Sequence, residues 1–144
     1  TAGWDAGSGQ DPVEDVLDAE RTINIQDYNG KSAVLLLNPK DYKSLVTWLI
    51  TTKGSSLPNF ASQLVGDGQL TTFLGHRVIV SNNVTADYAA LVIPQTACTW
   101  KQYADTTSRL IEDPGIGTEI RVWEEGIALL NDPKAVCLIT NTVA

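Results

Sequence analysis

The sequence predicts an α+β domain in which a mixed sheet is flanked by helices. Two Asx-Pro pairs, at residues 11–12 and 38–39, each precede a helical pattern. Short apolar runs bounded by turn residues follow, and most of them lie in the second half of the chain. A length of 144 residues suits one domain. We expect that domain to span 11–144, after a flexible, exposed lead-in at 1–10 that contains three glycines.

The elements are predicted in chain order. A helix capped by Asp11 runs from Pro12 to about residue 21, and residues 32–37 form a strand buried on both faces. A second helix begins at Asn38-Pro39 and ends near residue 52. Four further strands are expected at 71–80, interrupted at Gly75, at 88–93, at 119–130, with a bend at Gly126, and at 135–140.

Charge and composition exclude some classes of protein. The net charge is -7, with 10 basic and 17 acidic residues, and the basic residues are scattered. This pattern argues against a nucleic-acid-binding module, which would concentrate lysine and arginine. The sequence has no apolar run long enough to span a membrane. It also has no methionine and begins with Thr1, so we expect a processed product, a truncation or an excised domain.

Few residues are candidates for catalysis. His76 is the only histidine, at a predicted strand start beside Arg77, and we expect it at the surface or at a sheet edge. Cys98 and Cys137 are predicted to be small buried hydrophobic residues. No nucleophile elbow, phosphate loop or metal-ligand spacing is present, so the sequence predicts no enzyme, no cofactor and no metal. A small cysteine hydrolase using Cys98 and His76 and a ligand-binding module remain as alternatives.

Aromatic and acidic residues suggest interfaces more than chemistry. Trp48, Trp100 and Trp123 are expected to be anchors in the core or in an interface. Glu124 and Glu125 are neighbours on a predicted strand, so they point to opposite faces and form no catalytic pair. We expect one of them to be a solvent-facing charge or part of an ion pair between subunits.

Three segments in fixed order resemble tailed-phage major capsid proteins of the Hong Kong ninety-seven-like fold. Residues 34–42 (VLLLNPKDY) resemble a strand and helix start of that family, and residues 73–82 (FLGHRVIVSN) resemble a later strand and polar turn. Residues 121–129 (RVWEEGIAL) with 132–136 (DPKAV) resemble its closing strands. One departure is Arg77, where the family usually has proline.

The resemblance implies the axial domain of a capsid subunit and part of its peripheral domain, without the N-terminal arm, the hairpin loop and the spine helix. It implies a structural subunit of an icosahedral virus, phage or provirus capsid that self-assembles into pentamers and hexamers around the genome. Its partners would be copies of itself, and in the full-length protein a scaffold or maturation protease. Its location would be the virion, after the host cytoplasm. The alternative within this fold is an encapsulin-like shell around cargo enzymes.

The resemblance also places the subunit-contact loop between residues 51 and 70. This segment is rich in glycine and serine, and its tentative interface residues are Lys53, Gly54, Ser55, Ser56 and Asp67. Opposite charges on neighbouring subunits around a ring would form individually weak contacts that repeat at each interface.

We therefore expect that truncating Lys53 and Asp67 lowers capsomer formation by the full-length protein and leaves the melting temperature of the domain unchanged. Capsomer yield and thermal melting of the same double variant measure the two effects. An unaltered yield would remove both residues from the interface.

Overall fold

The computed structural model describes residues 2–6, 8–51, 69–115 and 117–142. Within these residues the order is helix, strand, helix and then six strands, and short 3₁₀ turns precede the first and last strands. The helices and strands are α1 (Pro12–Ile25), β1 (Val34–Leu37), α2 (Pro39–Thr51), β2 (Thr72–Phe73), β3 (His76–Val80), β4 (Tyr88–Val92), β5 (Cys98–Asp113), β6 (Gly117–Leu130) and β7 (Val136–Thr140).

Both predicted helix starts are confirmed. The Asp11 carboxylate accepts hydrogen bonds from the backbone N–H groups of Val13 and Glu14, at 3.1 and 3.2 Å. The Asn38 side chain accepts one from the Lys40 N–H at 3.0 Å. These bonds satisfy backbone donors that have no partner within the helix. Helix α1 extends beyond the predicted end near residue 21 because Ile23, in its last turn, is buried in the core.

Five strands form a mixed sheet in the order β2-β3-β1-β4-β7. Strand β1 lies at the centre, parallel to β3 and antiparallel to β4. Strand β2 forms a hairpin with β3, and β7 pairs with the other edge of β4. The predicted α+β class with a mixed sheet is therefore confirmed. Among the described residues, no helix is long and apolar enough to cross a lipid bilayer.

The core lies on one face of this sheet. Leu35 and Leu37 of β1 and Leu91 of β4 are fully buried, and they pack in one cluster with the apolar residues of α1 and α2. The intervening residues Val34 and Leu36 are half-buried. The prediction that β1 is buried on both faces is therefore wrong, because side chains alternate across a strand and the helices cover only one set.

The interruption predicted at Gly75 is a tight turn. Leu74 and Gly75 have φ angles of +52° and +90°, which is the pattern of a two-residue hairpin turn with both central residues in the left-handed region. The turn joins β2 to β3 and starts β3 at His76.

The prediction of an exposed lead-in is wrong for Trp4. Its side chain is buried in the core cluster, and its indole N–H donates to the Asp15 carboxylate at 2.9 Å. Its backbone N–H donates to the carbonyl of Thr142 at 2.6 Å. A large aromatic ring in a glycine-rich segment can still be recruited into a core, because burying it removes a large apolar surface from water.

Asp41 is a buried acid that also contacts Thr142. It lies in the first turn of α2, is fully buried, and accepts a hydrogen bond from the Thr142 hydroxyl at 2.9 Å. Burial raises the pKa of Asp41 above 3.8, although the Thr142 hydroxyl and the Asp87 backbone N–H act in the opposite direction.

This buried acid should give the protein a specific pH dependence. Because the folded pKa lies above the unfolded one, the contribution of Asp41 to stability is fully present below the unfolded pKa and is lost as the pH rises through the folded pKa. In Asp41→Asn that loss should disappear. Urea unfolding of wild type and variant, from about pH 3 to about pH 7, measures the difference.

The exposed Asp105→Asn is the matched control, since it removes the same charge at the surface. A free energy of unfolding with the same pH dependence in Asp41→Asn and wild type would show that burial of this carboxyl has no influence on stability.

Candidate functional site

Strands β5 and β6 form a two-stranded antiparallel ribbon apart from the main sheet. Every residue of β6 is exposed. At a rise of ~3.3 Å per residue, its 14 residues extend roughly 45 Å. The base of the ribbon is held by Ala97, whose N–H donates to the Ile93 carbonyl at 3.0 Å and whose carbonyl accepts from the Asn131 N–H at 2.8 Å.

The strand register assigns each side chain to one of the two faces of the ribbon. Residues directly opposite each other in an antiparallel pair share a face. Leu110 pairs with Ile120 and Ser108 with Val122, whereas the neighbouring pair on the other face is Arg109 with Arg121. One face therefore presents Leu110, Ile120 and Val122. The other presents the two arginines, and it also carries the apolar side chains of Trp123, Ile127 and Leu129.

We name the first surface the apolar ribbon face. Its large side chains remain in contact with solvent in this chain. Their exposed fractions are 57% for Trp100, 54% for Leu110, 69% for Ile120, 63% for Val122 and 60% for Leu130. Exposed large apolar side chains grouped on one surface commonly mark an interaction site.

A bulge divides the ribbon into two halves. The register shifts between Gln102 and Ala104 and again between Ala104 and Thr107, and the additional residues all belong to β5. Strand β6 therefore keeps its regular alternation through the bulge. Bulges bend a strand and increase its twist. Tyr103, within the bulge, is 89% exposed.

Trp100 and Glu124, on the apolar ribbon face, form hydrogen bonds that stabilise the bulge. The indole N–H of Trp100 donates to one carboxylate oxygen of Glu124 at 3.1 Å, and the Thr106 hydroxyl donates to the other at 3.2 Å. The indole lies across Gly126, where an added Cβ would be 2.3 Å from the nearest ring carbon. Only glycine leaves room for the ring, so Gly126 is a packing requirement and not merely a bend.

The interface residues predicted from the resemblance are not on the ribbon. Lys53, Gly54, Ser55, Ser56 and Asp67 lie outside the described residues.

The prediction that His76 lies at the surface or an edge is wrong, because its side chain is fully buried. Its ring nitrogens face the Ala33 carbonyl and the Glu20 carboxylate, so neither nitrogen is directed to Cys98. The paired thiol and imidazole that a cysteine hydrolase needs are therefore not assembled here.

The cysteines also differ from expectation. Cys98 is exposed at the start of the ribbon, so the prediction of burial is wrong for it. Cys137 in β7 is half-buried, and burial raises the pKa of its thiol. Within the described ranges, no group of three or more histidine, cysteine or acidic side chains could hold a metal ion.

Two hollows of ≈ 420 Å³ each bear on the ligand-binding alternative. The first lies between the segment around Trp4 and helix α2, where its titratable lining residues are Asp5 and Lys43. The second lies on the outer side of α1, beside Glu20 and Lys31. Both are open to solvent, so neither encloses a small molecule as ligand pockets commonly do.

The sequence left Trp48, Trp100 and Trp123 open between the core and an interface. Trp48 is buried in the core, as its position on the helix suggests, whereas Trp100 and Trp123 are largely exposed on the ribbon. Strand β5 was not predicted because residues 99–110 are polar. Its threonines and its need to pair with the alternating segment at 119–130 are the signals that could have indicated it.

Comparison with known proteins bears on the fold. No family model and no curated protein matches the sequence. Solved structures do match, including the following two. One is a chain from Mycobacterium phage Che8, with a TM-score of 0.63 and 19% identity, and the alignment covers 96% of this chain and 53% of that chain. The other is the virus-like particle from Pyrococcus furiosus, with a TM-score of 0.61, 18% identity and the same coverages of 96% and 53%.

The chain shares its fold with both. It spans about half the length of each. The α+β architecture predicted from the sequence is thus of a type found in a phage and in a virus-like particle. At this identity the likeness concerns the fold alone, so the roles of individual residues must be argued from this chain.

The packing of Trp100 on Gly126 leads to a test of the bulge. In Gly126→Ala the new methyl group should displace the indole and break its hydrogen bond to Glu124, which should destabilise the ribbon by at most about 1 kcal/mol because the pair is exposed. The chemical shift and hydrogen exchange of the Trp100 indole N–H, measured by NMR, report the displacement.

Thr118→Ala, on the same exposed strand, is the control because its side chain is distant in the ladder from Trp100. An indole N–H signal that is unchanged in Gly126→Ala would contradict the packing described here.

Proposed function

We propose that this chain is part of a shell-forming structural protein, a subunit of an icosahedral virus, phage or provirus capsid that assembles into pentamers and hexamers around the genome. The observation that carries the proposal is the apolar ribbon face. Support for a particle-forming role comes from the fold, which is shared with a phage chain and with a virus-like particle.

The ribbon has the properties of an element that is stabilised by binding a partner. A two-stranded hairpin is marginally stable by itself in water. This one has an apolar face that the described part of the chain leaves exposed. Covering Ile120, Val122 and Leu110 would remove apolar surface from water and would also stabilise the ribbon that presents them. Both effects favour association.

The two arginines on the opposite face of the ribbon favour contact with acidic groups of a partner. Arg109 and Arg121 lie directly opposite each other, and like charges in this position repel. Arg121 is paired with Glu119 at 2.9 Å, at the surface of the ribbon. The net charge of -7 supplies acidic groups on other copies of the chain. Such exposed charge contacts determine the relative orientation of the partners more than they contribute to affinity.

A second set of subunit contacts is proposed for the segment between residues 51 and 70. Lys53, Gly54, Ser55, Ser56 and Asp67 would form contacts around a capsomer axis. A scaffold or a maturation protease would act on the full-length protein, and the assembled subunit would reside in the virion after synthesis in the host cytoplasm. The proposal assigns no enzymatic activity and no cofactor.

An encapsulin-like shell is the second candidate, since sharing a fold with a phage chain and with a virus-like particle supports a shell of either kind. The two differ in what the particle encloses. Nucleic acid recovered from purified particles after nuclease treatment supports a capsid, whereas an enclosed enzyme without nucleic acid supports the alternative.

The apolar ribbon face gives the sharpest test of assembly. We expect a triple variant, Leu110→Ser, Ile120→Ser and Val122→Ser, to lower the association constant of the protein at least about tenfold, since fully burying each such side chain contributes ~1.5–3 kcal/mol. Its melting temperature should change little because the three side chains are exposed in the isolated chain. Sedimentation velocity measures association, and thermal unfolding measures stability.

The matched control is Ser108→Ala, Glu112→Ser and Thr118→Ser, which alters exposed polar residues of the same face and the same strands. Equal loss of assembly in both triple variants would mean that the ribbon acts without its apolar side chains. Assembly at the wild-type level in the apolar variant would sink the proposal.

A further inference from the structure

A cluster of three ionisable side chains, of which Glu20 and His76 are buried and Lys31 is exposed, joins α1 to the sheet away from the ribbon. His76 at the start of β3 is fully buried, and its Nε2 lies 3.4 Å from a carboxylate oxygen of Glu20 in α1. The same oxygen lies 2.8 Å from the Lys31 ammonium. The Nδ1 of His76 lies 3.2 Å from the Ala33 carbonyl oxygen. One imidazole therefore bridges the helix and the chain that enters β1.

Gly30 makes this arrangement possible. A Cβ at this position would be 2.7 Å from Cγ of Glu20 and 3.0 Å from the side-chain oxygen of Asn24. With only hydrogen there, the turn at residues 30–32 approaches α1 closely, and the Gly30 N–H donates to Asn24 at 2.8 Å. The approach places Lys31 beside Glu20.

The hydrogen-bonding capacity of the imidazole decides how the cluster behaves. Both ring nitrogens face oxygen atoms that only accept hydrogen bonds, namely a backbone carbonyl and an ionised carboxylate. A neutral histidine has one N–H and one lone pair, so it can donate to only one of them, and the other oxygen then faces a lone pair. A protonated ring donates to both, and its bond to Glu20 is charge-assisted.

We propose that Glu20, His76 and Lys31 form a proton-operated clasp on α1, which is closed while the His76 ring is protonated and loosened when the ring loses its proton. The ring is the only histidine of the chain. Closing and loosening the clasp therefore depend on the protonation of one imidazole.

The His76 ring has a different neighbour on each element packed against it. From α1 the ring faces Glu20, from the turn before β1 it faces the Ala33 carbonyl, and from β2 it faces the apolar Phe73 across the hairpin. Arg77, the next residue on β3, is exposed on the opposite face. Lys31 reaches the ring only through Glu20.

The acid limit comes from Glu20. The hydrogen bond from Lys31 lowers the pKa of Glu20 most, burial opposes it, and the charge of Lys31 and the bond with His76 lower it further. Since the folded pKa lies below 4.5, this carboxylate contributes stability above the unfolded value and loses it as the pH falls through the folded pKa. The alkaline limit is deprotonation of His76. Between the two limits both charged partners are present.

The consequence is local to α1 and the strands it covers. Helix α1 packs on β7 and β4. Protonation of His76 therefore alters how firmly this helix is held on the sheet.

The clasp can be tested on the wild-type chain by NMR, because the single histidine gives one set of ring signals. The ¹⁵N shifts of the ring show whether both nitrogens carry protons, and amide hydrogen exchange in α1, corrected for intrinsic rates, reports helix opening. We expect α1 to open about tenfold more often once the ring is deprotonated, the size expected for the loss of one charge-assisted hydrogen bond.

Variants separate the clasp from general destabilisation. Glu20→Gln should flatten the pH dependence of α1 exchange, and Lys31→Met should weaken protection of α1, whereas the exposed Lys134→Met should alter neither. A ring that stays in one neutral tautomer wherever the protein is folded, or α1 exchange that ignores the titration of the ring, would overturn the proposal. Both observations come from the wild-type chain and do not require a variant to fold.

Discussion

Burial of one face of the central sheet is the constraint on which the other features of the domain depend. Leu35 and Leu37 in β1 have no exposed surface, and their neighbours in β3 and β4 must present the same face to α1 and α2. A slip of one residue in any of these pairings would turn the apolar set toward water. The helix caps at Asp11 and Asn38 serve this arrangement by beginning each helix where its apolar side meets the sheet.

The ribbon is free of that constraint, and it differs from the sheet in its exposure to solvent and in the contacts that stabilise it. No residue of β6 is buried, and the ribbon is stabilised by its ladder and by the contacts around Trp100. The core therefore determines whether the domain folds, whereas the ribbon surface determines what the folded domain can contact. Separation of the two roles allows the surface of the ribbon to change in sequence at little cost to the core.

The sequence was informative where local rules decide the structure. The two Asx-Pro pairs predicted the helix starts, since capping depends on neighbouring residues. The apolar run before Asn38 predicted β1, and the alternation at 119–130 predicted β6. The interface assignment at Lys53 and Asp67 came from the family resemblance, and it stays a prediction.

Long-range partners could not be predicted in the same way. His76 was expected at an edge, and its burial follows from Glu20, which is 56 residues earlier in the sequence. Trp4 was expected to be exposed because nothing near it in sequence indicates the core that receives it. The polar composition of 99–110 concealed a strand that exists because β6 is its partner. Each of these depends on contacts between residues far apart in the chain, which periodicity does not encode.

The bulge in β5 has a geometric consequence for whatever contacts the ribbon. Strand β5 has 16 residues and β6 has 14, so the longer strand must follow an outer path and the ribbon must curve. The apolar side chains near Trp100 and those near Leu110 therefore point in different directions. A flat or straight partner can cover one group well but not both. The curvature of the ribbon thus selects for a partner of matching shape, and shape can discriminate among partners that offer equally apolar surfaces.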